Sequence, residues 1–196
     1  MARKLMVTGY GGFVAGSVVW QALRSGEWDV YALSLIEQPE DRERFHCIQF
    51  DLCDTAKLEA VFAEIHPDAV VHTAAFADID YCQNNRADAE RVNVDATRDL
   101  ARLCGESGCK MILCSTDTVF DGTKGMYTED DEPHAVNYYA ETKIRAEQIL
   151  RENVGNGVVA RLSLVMGLPV LGAGNSFLAK TLDALKKGEQ VKFPAN

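Results

Sequence analysis

"VNYYAETKIRAE", residues 136–147, sets two tyrosines beside a lysine at a spacing that can move a proton. In a helix, residues four apart share a face and residues five apart do not, so Tyr139 stands over Lys143 while Tyr138 points elsewhere. A phenol with its ordinary pKa near 10 is a poor proton shuttle at neutrality unless a cation one helical turn away stabilises its phenolate. Lys143 supplies such a cation. Tyrosine and lysine four apart also occur in helices that only pack, so the pair gains meaning from what surrounds it.

A second stretch, "VTGYGGFVAGS", puts Gly9, Gly12 and Ala15 at GxxGxxA spacing after an apolar run and before an amphipathic one. Small residues are needed there if the backbone is to turn tightly and let a pyrophosphate reach the amides of a helix N-terminus. Between a strand and a helix of an alternating chain the pattern reads as a dinucleotide site, with Gly9, Gly11, Gly12, Phe13 and Val14 as its candidates. A cofactor with a free ribose 2′-hydroxyl calls for an acid at the end of the second strand. That end is "ALSL", with Ser34 and Leu35 in place of the acid and Glu37 the nearest carboxylate. NADP(H) is therefore preferred and NAD(H) stays an alternative. Arg42 and Arg44 could reach back toward a 2′-phosphate, although each alone reads as part of a solvated charged loop.

These residues need a scaffold, and the periodicity supplies one. Short apolar runs at 4–9, 29–35, 47–52, 68–75, 110–116 and 157–167 read as strands. Amphipathic stretches at 16–26, 55–67, 87–108, 138–153 and 176–188 read as helices. Near-continuous apolar strands alternating with helices predict an α/β fold, a doubly wound parallel sheet with helices on both faces. After the sixth strand, one helix and the start of another extended stretch, 189–196, look like a domain cut short. The expected division is residues 1–170 as the dinucleotide-binding domain and 171–196 as the start of a smaller substrate-binding part.

With 196 residues, 47% of them hydrophobic, the chain can bury a substantial core. A formal net charge of −9 argues against a nucleic-acid partner, which needs a basic footprint. Cys47, Cys53, Cys82, Cys104, Cys109 and Cys114 form no CxxC pair, so neither zinc nor a redox dithiol is signalled. No run reaches the length of a membrane span and the N-terminus is too short for a signal peptide, which predicts a cytoplasmic protein without a membrane partner. Glu129, Asp130, Asp131 and Glu132 could in principle hold a cation, but four acids in a proline-containing loop read as a solvated face and no metal is expected.

"VTGYGGFVAG", "FDLCD", "VVHTAAFADIDYCQ", "VNVDATRDLARLC", "ILCSTDTVFDG", "NYYAETKIRAE" and "ARLSLVMG" resemble, in order and spacing, the extended short-chain dehydrogenases/reductases. Among these the chain is most similar to the dTDP-4-dehydrorhamnose reductases and related sugar-nucleotide reductases. The resemblance implies a Rossmann-type sheet, an NAD(P)-dependent oxidoreductase and a sugar-nucleotide substrate, a nucleotide-linked 4-keto-6-deoxy sugar. It makes Tyr139 the proton donor, Lys143 its partner and a ligand of the nicotinamide ribose, and Thr116 the hydroxyl that bonds the substrate oxygen. It places Asp51 and Leu52 beside the adenine, and Ala74, Ala75 and Phe76 along the cofactor. Asn93 would help to order the fourth strand. His72 and Thr73 replace the family's usual Asn-Ala opening, and His72 reads as a packed, hydrogen-bonded histidine rather than a catalyst. Dehydratases of the superfamily carry an Asp-Glu pair after the threonine; here Thr118 follows Asp117, so removal of water is disfavoured. A regulatory subunit that binds nucleotide without catalysis, an epimerase, and assembly as a homodimer all remain open.

Overall fold

The computed structural model describes residues 2–36, 43–171 and 176–191. Six strands form one parallel sheet: β1 (Arg3–Thr8), β2 (Trp28–Ser34), β3 (Phe45–Gln49), β4 (Ala69–His72), β5 (Lys110–Thr116) and β6 (Val158–Leu162), in the order β3-β2-β1-β4-β5-β6. This is the Rossmann-type doubly wound parallel sheet expected from the sequence. Its direction of winding reverses between β1 and β4, where Thr8 pairs with His72 at the carboxyl ends of both strands. In such sheets the crevice outside that point is where ligands bind.

Strand alternation sends side chains to two cores. Met6, Val70, Met111 and Leu113 face one layer, built from α2 (Thr55–Ile65), α5 (Ala96–Ser107) and α6 (Tyr138–Asn153). Their neighbours Leu5, Val7, Ala69 and Val71 face the other, against Ala15, Val19 and Ala22 of α1 (Phe13–Ser25). The period of two within each strand is what lets a short apolar run serve both faces.

The element boundaries depart from expectation where tertiary bonds replace ladder bonds. The fourth strand, read as 68–75, stops at His72 because the amides of Thr73 and Ala74 turn to the Thr8 hydroxyl, 3.2 Å from each. The helix read as 87–108 is broken into α4 (Arg86–Glu90), one π turn (Arg91–Asp95) and α5, and it is preceded by an unanticipated α3 (Ile79–Asn84). The sixth strand, read as 157–167, ends at Leu162, freeing the residues that follow to line a cleft. α7 (Phe177–Lys186) lies inside the 176–188 helix that was expected. The extended stretch read as 189–196 falls largely outside the described residues, as do Glu37 and Arg42. No helix among the described residues is long and apolar enough to cross a membrane.

Candidate active site

A cleft of about 660 Å³ opens at the carboxyl ends of β1, β4 and β5. Its floor is the turn after β1. Gly9 and Gly11 have φ of +75° and +104°, and a Cβ on Gly9 would lie 2.8 Å from the Ala74 backbone. A side chain at Gly9 would thus meet both torsional strain and a rigid neighbour. Gly9→Ala is expected to lower stability by about 1–3 kcal/mol and to weaken dinucleotide binding, read by thermal unfolding and titration. Gly12 caps α1 without a side-chain bond, and no acid sits in the first turn, so the orphan amides of Phe13, Val14 and Ala15 are left for an anion. That geometry fits the pyrophosphate of a nicotinamide dinucleotide.

The opposite wall is α6. Asn137 caps it, its side chain accepting from Ala140 N at 2.9 Å, and this fixes the helical phase. Tyr139 and Lys143 then face the cleft together with Thr116 at the end of β5. Tyr138 points to α4, where its hydroxyl donates to Glu90 at 3.1 Å and the Arg86 guanidinium covers its ring at 4.7 Å.

Burial raises the Tyr139 phenol above its ordinary value, opposed by a hydrogen bond with Thr116 that favours the phenolate. The phenol is therefore held protonated, which suits a donor. The sequence argument leaned on Lys143 to bring the phenol down; in the structure burial, helped by Cys82, Asp117 and Cys114, outweighs the hydrogen bond with Thr116. Lys143 itself is 2% exposed, lines the cleft and donates no side-chain hydrogen bond to the described residues. Burial lowers its ammonium to about 8, against the attraction of Cys114 and Glu147. A buried ammonium with unused donors at a cleft wall fits ribose hydroxyls of a bound dinucleotide.

His72 lies beneath this wall, fully enclosed. Its Nδ1 is 2.7 Å from the Thr8 hydroxyl and its Nε2 3.0 Å from the Thr97 hydroxyl. The Thr97 hydroxyl donates to Asn93 O at 2.7 Å, so toward His72 it must accept, and Nε2 carries the proton. Nδ1 then accepts from Thr8, whose oxygen receives the amides of Thr73 and Ala74. Burial, then repulsion from Lys143, brings His72 down to about 3, so it stays neutral at physiological pH. It is a structural histidine, as the sequence suggested.

Asn93 sits in the π turn and is 1% exposed, not on a helix surface. Its side chain accepts from Phe76 N at 2.8 Å and donates to Phe76 O and to the Thr142 hydroxyl, each at 3.0 Å. Thr142 in turn donates to Tyr139 O at 2.7 Å. The loop after β4 is thereby tied to the start of α6.

Gly9, Gly12, Phe13, Val14, Ala74, Ala75, Thr116, Tyr139 and Lys143 thus share one cleft. Gly11, Ser34, Asp51, Leu52 and Phe76 do not line it. Ser34 and the turn holding Asp51 and Leu52 are neighbours at the ends of β2 and β3, joined by Phe50 N to Ser34 O at 3.1 Å. Asp51 is paired with Arg91 at 2.6 Å, and Leu52 packs on the core. The Ser34 hydroxyl accepts from Ile36 N at 3.3 Å. Arg44 does not reach back to it: it binds Asp29 at 3.1 Å and Gly26 O at 2.5 Å, at the far end of β2. Phe76 packs on Tyr81 with the rings tilted by 41° and their centres 4.9 Å apart. In the acidic loop, Asp131 is committed to Lys124 at 2.5 Å and to Thr128 N at 2.7 Å. Ser163, Leu164 and Val165, which follow the early end of β6, also line the cleft, as does Phe177 at the start of α7.

Comparison with known proteins agrees with this geometry. The chain is 36% identical over 162 residues to the probable low-salt glycan biosynthesis reductase of Haloferax volcanii, covering 82% of this chain and 53% of that protein. It is 30% identical to methionine adenosyltransferase 2 subunit beta of Xenopus laevis, covering 85% of this chain and 48% of the other. The chain thus spans about half the length of these curated relatives. The crystal structure of dTDP-4-dehydrorhamnose reductase from Bacillus anthracis in complex with NADP superposes with a TM-score of 0.80 at 26% identity, covering 97% of this chain and 62% of that one. The RmlD substrate binding domain matches residues 3–195, and the chain belongs to that family, the extended short-chain dehydrogenase/reductase type related to dTDP-4-dehydrorhamnose reductase.

Proposed function

We propose that the protein is an NADP(H)-preferring reductase of a nucleotide-linked 4-keto-6-deoxy sugar. The observation that carries this is the convergence of Thr116, Tyr139 and Lys143 on the cleft whose floor is the Gly9–Gly12 turn. A bound reduced nicotinamide supplies the hydride to the carbonyl carbon. The Tyr139 hydroxyl gives its proton to the carbonyl oxygen as charge develops there, and the Thr116 hydroxyl hydrogen-bonds the same oxygen. Lys143 holds the nicotinamide ribose and offsets the negative charge left on Tyr139. The amides of Phe13, Val14 and Ala15 hold the pyrophosphate, and the wall formed by Ala74 and Ala75 lets the cofactor lie close to the backbone. Asp51 and Leu52 border the adenine, and residues 171–196 open the substrate-binding part.

The preference for NADP(H) rests on Ser34, where an acid would repel a 2′-phosphate. The test offers the full-length protein a dTDP-4-keto-6-deoxyhexose with NADPH or NADH and follows loss of reduced-nicotinamide absorbance. Turnover faster with NADPH supports the proposal in full; turnover faster with NADH refutes the cofactor assignment alone. The similarity to methionine adenosyltransferase 2 subunit beta favours a second reading, a nucleotide-binding subunit that regulates another enzyme. Tight NADPH binding without turnover on any keto-sugar nucleotide would favour it.

A further inference from the structure

Tyr139 and Lys143 are two members of a ladder on α6 whose third member, one further turn along, is Glu147. Glu147 is completely buried, which is rare for a carboxylate and demands partners. It has four contacts. The Ser115 hydroxyl, on β5 immediately before Thr116, donates to it at 2.6 Å. Arg161 on β6 donates from Nε at 3.1 Å and from Nη2 at 2.8 Å, and Arg151 on α6 at 2.9 Å. One carboxylate therefore fastens the helix bearing Tyr139 and Lys143 to the two strands that form the far side of the cleft.

From this geometry we infer that Glu147 is a positioning residue of the site, setting the register of α6 against β5 and adding a negative charge that favours the Lys143 ammonium. It rests on the reading of Lys143 as the cation of the site. The charges around the two groups set the expected size. Lys143 faces Cys114 from β5, the neutral His72 from β4, and Tyr139 and Glu147 on its own helix. Glu147 faces Arg161, Arg151 and Ser115. Burial works to raise the Glu147 carboxyl, but the bonds from Arg161 and Ser115 outweigh it and hold it ionised. Without that charge the cluster would keep three cations, Lys143, Arg151 and Arg161, the last with a side chain 13% exposed, and Glu129, which acts on Arg161, would be its remaining carboxylate among the described residues. Lys143 already titrates near 8, so a fall of one unit takes it from about nine-tenths charged to about half charged at pH 7. The carboxylate is thus placed where a modest field decides the charge state of the site.

The experiment is an NMR titration of lysine side-chain signals in the full-length protein, with Lys143→Met to assign the resonance. In Glu147→Gln, which keeps the shape and loses the charge, the Lys143 midpoint is expected to fall by about one pH unit. In Glu147→Asp, which keeps the charge, most of that shift is expected to be recovered. A purely structural role would leave the midpoint of a folded Glu147→Gln variant unchanged, and that result would overturn the inference. If Glu147→Gln does not fold, Arg151→Met reads the same field with opposite sign from a half-exposed position: the midpoint should rise, and no movement would overturn the proposal. The titration uses neither substrate nor cofactor. A shifted midpoint without turnover would count against the reductase assignment alone, and turnover with an unshifted midpoint against the Glu147 inference alone.

Discussion

Tyr139→Phe is expected to lower turnover by about 10²–10⁴-fold, the range for loss of a positioned general acid, while dinucleotide affinity stays within about threefold. The substitution removes only the hydroxyl. The ring remains against the same wall, and the Gly9–Gly12 turn, the α1 amides and Lys143 are untouched. Because burial holds the phenol protonated, the wild-type activity should persist across neutral pH rather than wait on an acid limb from Tyr139. Tyr138→Phe is the matched control. Its hydroxyl binds Glu90 outside the cleft, so turnover should change less than about twofold. Equal losses from both substitutions would contradict the assignment of roles along α6.

Lys143→Met should separate function from stability in opposite directions. Turnover is expected to fall at least about 100-fold, because the cation proposed to hold the ribose and steady the phenolate is gone. Stability at neutral pH is expected to rise by up to about 3 kcal/mol. The lysine titrates near 10.5 when unfolded and near 8 when folded, and each unit of that depression is about 1.4 kcal/mol. The sign follows from proton counts. Between pH 8 and 10.5 the unfolded chain binds more protons at this site than the folded one, so wild-type stability rises with pH there. Below about 8 both forms are protonated and the penalty is full. The gain from Lys143→Met should therefore be largest at neutral pH and shrink through that window, as denaturant unfolding at several pH values would reveal. A loss of stability on substitution would show that the ammonium holds the native fold together, contrary to its lack of hydrogen-bond partners among the described residues.

The parts of this molecule that could be read from sequence are those set by local physics. The parallel sheet with helices on both faces followed from apolar runs alternating with amphipathic ones. Tyr139 was separable from Tyr138 because Asn137 caps a regular helix whose phase is fixed. Gly9 was legible because a left-handed turn between strand and helix admits little else. What could not be read depends on partners distant in the chain. Asn93 gains its role from Phe76 and Thr142, and the π turn that aims it has no sequence signature. Glu147 looks like one more helix-surface acid until Ser115 and Arg161 are folded against it. The early end of β4 follows from the Thr8 hydroxyl competing for two amides, a contact across 65 or 66 positions. The depressed lysine is likewise a property of burial, invisible before the core is assembled.

The most direct test of the account supplies the full-length protein with a dTDP-4-keto-6-deoxyhexose and reduced cofactor deuterated at the transferable nicotinamide position, and analyses the sugar product by mass spectrometry. Deuterium on the former carbonyl carbon, abolished by Tyr139→Phe, is the predicted result. Tight cofactor binding with no label in any sugar product would contradict the account and leave a nucleotide-binding subunit in its place.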